Sequence, residues 1–173
     1  IGSSANTASG TLIVENCKVL NCNITSSTYV GGVVGICYCE LEVRKTSVVG
    51  TTITSTGTTS VARAGGVCGQ TDTSSSSVSN IDIQDCYVDA TIKAQYYIAG
   101  LFATYSKSSC GSIILMNNLI QGTLIQARNN TDAKYKGGLT PFEIASSSSV
   151  MNNIVNMTFS LYSSSSKYNA TAT

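Results

Sequence analysis

Short apolar runs rich in Val, Ile and Leu follow one another along the chain, separated by glycine pairs and by serine-rich stretches. Several alternate apolar with polar residues, as in Ile81-Asp82-Ile83 and Val88-Asp89-Ala90-Thr91-Ile92. That period of two marks a strand with one buried face, and runs of about four to six residues fit strands better than helices. The pattern therefore predicts an all-β protein.

The runs recur at a fixed spacing. A Gly-Gly-apolar signal appears as Val30-Gly31-Gly32-Val33-Val34-Gly35, Ala64-Gly65-Gly66-Val67-Cys68-Gly69, Ile98-Ala99-Gly100-Leu101-Phe102 and Lys136-Gly137-Gly138-Leu139. Its second glycines stand at positions 32, 66, 100 and 138, giving steps of 34, 34 and 38. A second block lies in phase between them: Val19 to Ile24, Val48 to Ile53, Val88 to Ile92, Ile120 to Ile125 and Val155 to Phe159. A third is polar, with Ser74 to Ser77, Lys107 to Ser109 and Ser146 to Ser149 read as loops. One copy cannot bury its own apolar face, whereas stacked copies bury a continuous core. The expected fold is a parallel β-solenoid of about four to five coils with a period of about 34 residues, in preference to a β-sandwich, which has no reason to keep such a period. Residues 1–10 form a lead-in, 11–162 the repeat domain, and 163–173 a Ser/Thr-rich tail or a linker to a next subunit. The glycines serve tight corners or close backbone approach. Inward candidates are Val14, Val19, Ile24, Val33, Val48, Ile53, Val67, Val88, Ile92, Leu101, Leu119, Leu124 and Phe159. Thr and Asn at matched corners are expected to stack as hydrogen-bonded ladders.

The glycine signals, together with strands of the type Ile83-Gln84-Asp85-Cys86-Tyr87-Val88 and Glu15-Asn16-Cys17-Lys18-Val19, resemble GLUG-type repeats over roughly residues 11 to 160. The third and fourth copies depart, with Ala99 in place of the first glycine and Leu139-Thr140-Pro141 in place of the apolar-Gly ending. The resemblance implies a scaffold or adhesive region of a large surface or secreted protein, such as adhesin-like proteins and regions of immunoglobulin-A-directed peptidases. It transfers no catalytic residue.

Composition removes several function classes. Charged residues are 11% of the 173, with net charge +1, so there is no basic face for nucleic acid. There is no His, which removes Ser-His and Cys-His nucleophiles and every His-containing metal site. No phosphate-binding glycine loop and no CxxC pair occurs, and no cofactor is expected. No apolar run approaches the ~18 residues of a membrane span, and no signal peptide is visible, which suggests a processed or excerpted chain.

Seven cysteines leave at least one unpaired if the rest are bridged. Cys37 or Cys39 with Cys68 is the expected staple near the glycine corner, and Cys110, read as lying in a polar loop, is named for an intermolecular bond or a free thiol. Cys17 and Cys86, at matching positions two copies apart, read as small buried apolar groups. N-glycan acceptors are Asn129 and Asn169, ranked above Asn23 and Asn156, which adjoin strands.

Neither end carries an amphipathic helix or a charged run as a cap. The leading expectation is thus a non-enzymatic extracellular structural protein: a filament subunit that stacks end to end with itself, or the shaft of a surface adhesin continuing into further repeats. A glycan or host-surface ligand is a further expected partner. The alternative is a carbohydrate-active β-helix enzyme or carbohydrate-binding module, with Asp82, Asp85 and Asp89 as its only acids and Tyr87, Tyr96 and Tyr97 lining a groove. A third reading, ice or surface binding by threonine rows, rests on Thr51-Thr52-Ile53-Thr54-Ser55-Thr56, and only one copy has that run.

Overall fold

The computed structural model describes residues 1–2, 10–59, 61–71, 79–104, 110–126, 136–141, 148–162 and 167–172, and every regular element among them is a strand. In chain order these are β1 (Thr11–Glu15), β2 (Lys18–Leu20), β3 (Asn23–Ser26), β4 (Tyr29–Gly31), β5 (Val34–Cys37), β6 (Glu40–Arg44), β7 (Ser47–Ser55), β8 (Arg63–Gly65) and β9 (Cys68–Thr71). There follow β10 (Ser79–Gln84), β11 (Tyr87–Ala94), β12 (Tyr97–Ala99), β13 (Cys110–Met116), β14 (Leu119–Gln126), β15 (Lys136–Gly137), β16 (Ser149–Met151), β17 (Ile154–Tyr162) and β18 (Lys167–Ala172).

Four sheets collect them. Sheet 1 runs β1-β6-β10-β13-β16; sheet 2 runs from β2 and β3 through β7, β11, β14 and β17 to β18; sheet 3 is β4-β8-β12-β15; sheet 4 is β5-β9. Every pairing is parallel except β17 with β18. The chain passes from sheet to sheet in the same order repeatedly, so the protein is all-β with parallel strands stacked in sheets, consistent with a β-helix-like fold. Within the segment expected as a tail, β18 turns back onto β17.

The period of 34 holds over the first three strands of sheet 3, where Tyr29 stands opposite Arg63 and Arg63 opposite Tyr97, and lengthens to 38 between Ile98 and Lys136. It does not hold in sheets 1 and 2. There, partners are separated by 29 (Cys17, Thr46), 40 (Glu40, Asn80), 32 (Cys86, Asn118) and 35 (Asn118, Asn153) residues. Connections of unequal length absorb the difference: β5 and β6 are joined by two residues, whereas residues 72–78 lie between β9 and β10. Stacked strands fix which residues meet, while the loops remain free to vary.

The glycine signature has a steric cause. Gly31, Gly65, Ala99 and Gly137 lie in register across sheet 3. A Cβ on Gly65 would meet the carbonyl of Leu101 at 2.8 Å, and one on Gly69 would meet the backbone nitrogen of Val30 at 2.6 Å, so sheets 3 and 4 approach at backbone distance. The second glycines face the next strand of sheet 2. A Cβ on Gly32 would lie 2.8 Å from Val48 Cγ1, one on Gly66 2.8 Å from Val88 Cγ1, and one on Gly100 2.5 Å from Ile120 Cγ2.

A second corner, between sheets 1 and 2, takes a left-handed residue each time: Asn16, Lys45, Asp85, Asn117 and Asn152, with φ of 55°, 47°, 55°, 57° and 56°. Asn and Asp tolerate this conformation because their short polar side chains bond locally; lysine has no such compensation.

Apolar side chains form columns through the stack. Val14, Val43, Ile83 and Leu115 make one, Leu41, Ile81 and Ile113 a second, and Val48, Val88 and Ile120 a third, all buried. Each fully buried side chain contributes about 1.5–3 kcal/mol. Two inward assignments are corrected. Leu119 is 37% exposed and its neighbour Ile120 takes the core position, because the strand alternates from the buried Asn118. Cys17 is exposed although Cys86 at the matching position is buried, since no described strand lies over Cys17 on its free side.

Gly66→Ala is expected to destabilise the protein by about 2–3 kcal/mol through overpacking, whereas Gly2→Ala, with nothing within 4 Å of the new carbon, stays within about 0.5 kcal/mol; urea unfolding midpoints compare them. Lys45→Asn relieves left-handed strain and is expected to raise stability by about 0.5–1 kcal/mol, because the exposed ion pair it removes, Lys45 Nζ to Glu15 Oε1 at 3.7 Å, contributes little.

Candidate functional site

Polar ladders run down the corner between sheets 1 and 2. Asn118, 1% exposed, accepts at Oδ1 from the Cys86 N–H (3.0 Å) and donates from Nδ2 to the Ile83 carbonyl (2.9 Å) and to Asn153 Oδ1 (2.8 Å). Asn153 Nδ2 in turn donates to the Leu115 carbonyl at 2.8 Å. On the outside, Asn152 Nδ2 donates to Asn117 Oδ1 (3.2 Å) and Asn117 Nδ2 to Asp85 Oδ1 (3.0 Å). Polar groups that leave water here find partners at the same level of the next repeat.

The three aspartates serve different neighbours. Asp82, on sheet 1, receives Arg44 Nη2 at 2.7 Å. Arg44 Nε is also 2.6 Å from Glu42 Oε1, close as an ion pair though not aligned as a hydrogen bond. Arg44 thus fills the space between two carboxylates where a glycosidic oxygen and a water would have to sit. Asp85 belongs to the corner ladder. Asp89, on sheet 2, accepts from Gln121 Nε2 (3.1 Å) and lies 3.4 Å from the Tyr87 hydroxyl. Tyr97 is on sheet 3, where it and Tyr29 flank the Arg63 guanidinium, with ring centroids 4.8 and 5.3 Å from its carbon. Tyr96 precedes that strand, half-buried.

An outward column was not evident from any one run. Thr52, Thr91, Thr123 and Thr158 stand opposite one another on four strands of sheet 2. Beside them Gly50 and Gly122, lacking side chains, open a shallow groove of about 310 Å³ that Asp89 borders. The usable signal was the threonine in four of the five second blocks rather than Thr-x-Thr within one strand.

Cys39, Cys68 and Cys86 are buried free thiols, Cys37 is also buried, and Cys17 and Cys22 are exposed free thiols. Cys37 Sγ and Cys39 Sγ are 3.6 Å apart, while the backbone of Cys68 is level with Val34. Burial pushes the Cys86 thiol up to about 11 and that of Cys68 higher still, the latter helped by Cys37. Cys110 opens β13 opposite Ser79 rather than sitting in a loop. Asn23 and Asn156 are exposed on strands, Asn169 lies in β18 opposite Ser160, and Asn129 falls outside the described residues. Among the described residues there is no group of three or more Cys, Asp or Glu arranged to hold a metal ion, and no helix long and apolar enough to cross a membrane.

The ends of the stack differ. At the first, β1, β2 and β3 have no partner on their outer edge among the described residues, and a concavity of about 520 Å³ opens beside Ile24, Val30 and Val33. Ile1 and Gly2 pair with the β5 edge there: the Ile1 amino group donates to the Val33 carbonyl (2.8 Å), and Gly35 N–H to the Ile1 carbonyl (2.9 Å). At the other, no described strand covers β16, and Val150, Met151 and Ile154 are 41%, 51% and 63% exposed. No family model, curated protein or solved structure matches the chain.

Alkylation of the folded protein at pH 8 is expected to modify Cys17 and Cys22 within minutes and to spare Cys37, Cys39, Cys68 and Cys86, because only exposed thiols supply thiolate to the reagent. Peptide mass mapping reads the pattern; rapid modification of Cys68 would contradict its burial.

Proposed function

We propose that this chain is a non-enzymatic structural protein of the extracellular space, a parallel β-solenoid of about four to five coils that serves as a filament subunit or as the shaft of a surface adhesin. The observation that carries this reading is the repeated parallel register through sheets 1 to 3, which among the described residues leaves β1, β2 and β3 without an outer partner at one end and β16 without one at the other. Open edges of this kind pair with another strand, and a head-to-tail contact propagates as a fibre when its rotation does not close. The acids Asp82, Asp85 and Asp89 are each engaged with a neighbouring side chain, Arg44, Asn117 and Gln121 in turn, which supports a scaffold over a catalyst. Glycan binding is a second reading, favoured by the groove at Gly50, Gly122 and Asp89.

Electron microscopy of the full chain is expected to show unbranched fibres with an axial repeat of roughly 20–25 Å, the rise of four to five strand spacings. Particles that stay monomeric at every concentration, together with retention on an immobilised glycan, would replace the scaffold reading with the binding module.

A further inference from the structure

The two ends of the stack carry complementary backbone groups. At the corner between sheets 1 and 2, the left-handed residue of each repeat donates its N–H to the carbonyl just before the next one: Asn16 to Arg44 (3.1 Å), Lys45 to Gln84 (3.1 Å), Asp85 to Met116 (3.0 Å) and Asn117 to Met151 (3.1 Å). Two residues further on the direction reverses, with N–H groups of Ser47, Tyr87, Leu119 and Ile154 donating to the carbonyls of Cys17, Thr46, Cys86 and Asn118 at 2.8–3.0 Å. Continued by one level, this scheme points the Asn152 N–H and the Asn153 carbonyl off one end. It points the Glu15 carbonyl and the Lys18 N–H off the other. The side chains agree: Val150, 41% exposed, ends the column that Val14 begins, and Asn152 ends the outer ladder at a position equivalent to Asn16.

We infer that the edge formed by β16 and β17 is the docking surface for β1, β2 and β3 of a second copy of this chain, and that β18 covers part of it and must be displaced for the copies to join. This rests on the end-to-end reading and adds its surface and its control. The conflict over β18 follows from register. β3 pairs Asn23, Ile24, Thr25 and Ser26 with Thr52, Ile53, Thr54 and Ser55. Carried through sheet 2, those levels arrive at Thr158, Phe159, Ser160 and Leu161. The same four residues pair with Thr171, Ala170, Asn169 and Tyr168 of β18. An incoming copy offers the registers of β1, β2 and β3, longer in total than the six pairs of β18, and replaces an antiparallel strand by a continuation of the parallel stack.

The test uses the full chain made without N-glycans. One variant joins Thr158→Cys to Thr171→Cys, which face each other across the β17–β18 pair, within the Cα range a disulfide spans; the bridge is closed with oxidised glutathione and confirmed by peptide mapping. Another carries Asn169→Pro with Ala170→Pro, because successive N–H groups face opposite edges and one of the two must face β17. A third adds Val150→Arg to the proline pair, at a site exposed enough to tolerate it. Sedimentation velocity and electron microscopy follow assembly, and circular dichroism confirms that each variant is folded. The bridged variant is expected to stay monomeric until reductant is added, the proline variant to assemble at about a tenfold lower concentration, and Val150→Arg to abolish that gain. Fibres that form equally in all variants overturn the docking surface and leave the end-to-end reading standing. Absence of fibres from the wild type and from the proline variant overturns both.

Discussion

Each strand of sheets 1 to 3 other than β18 takes its hydrogen bonds from a strand about one repeat away, and the residues that meet hold the same place in their respective repeats. That register governs what each position tolerates. A residue facing inward must fit above and below its own counterparts, which is why Val, Ile and Leu form columns. A buried polar residue is admissible only where its counterpart reciprocates, as Asn153 does for Asn118. A corner that must pass close to the next level has room for a hydrogen atom and nothing larger, as at Gly66 against Val88.

The glycine corner and the left-handed corner solve different problems. The first brings two sheets to backbone distance, so its need is steric and glycine is the direct answer. The second reverses the local backbone direction between sheets 1 and 2, so its need is conformational, and Asn or Asp serves because its side chain can also join the outer ladder. Lys45 occupies that corner without the ladder contact and reaches Glu15 instead. The corner geometry is therefore imposed by the stack as a whole and not by the residue that sits there, a case of tertiary context overriding local preference.

The repeat was legible because glycine pairs have few substitutes, and the strands because their alternation records one buried face. Register was legible in sheet 2, where the second blocks open with Val19, Val48, Val88, Ile120 and Val155, the residues that stand opposite one another; it was not legible as one period. The glycine steps of 34, 34 and 38 are those of sheet 3, while the partner of Glu40 is 40 residues away and that of Cys17 is 29, so a single period taken from the glycines does not carry over to sheets 1 and 2. Single-residue phase errors follow from the same source: Leu119 and Ile120 are both apolar, and only the position of Asn118 in the ladder decides which one points inward. The threonine column was hidden for a related reason. Its members come one from each strand, so it exists only once the strands are in register. The acids were visible as a cluster in sequence, but Asp82 and Asp89 sit on different sheets, each with its own partner.

An array of parallel strands has no intrinsic end, because the groups that each level presents to the next are the groups it receives from the level before. Ending such an array calls for a strand that breaks the rule, and β18 does so by running antiparallel along β17. It covers Met157 to Tyr162 and leaves β16 and the start of β17 open, so the array is closed over one sheet and open over its neighbour. In the proposed end-to-end assembly the same chain supplies both the template for extension and an element that competes with it. A balance of this kind is set by the difference between two strand-pairing energies and not by either alone, so small changes at the β17 edge shift it strongly.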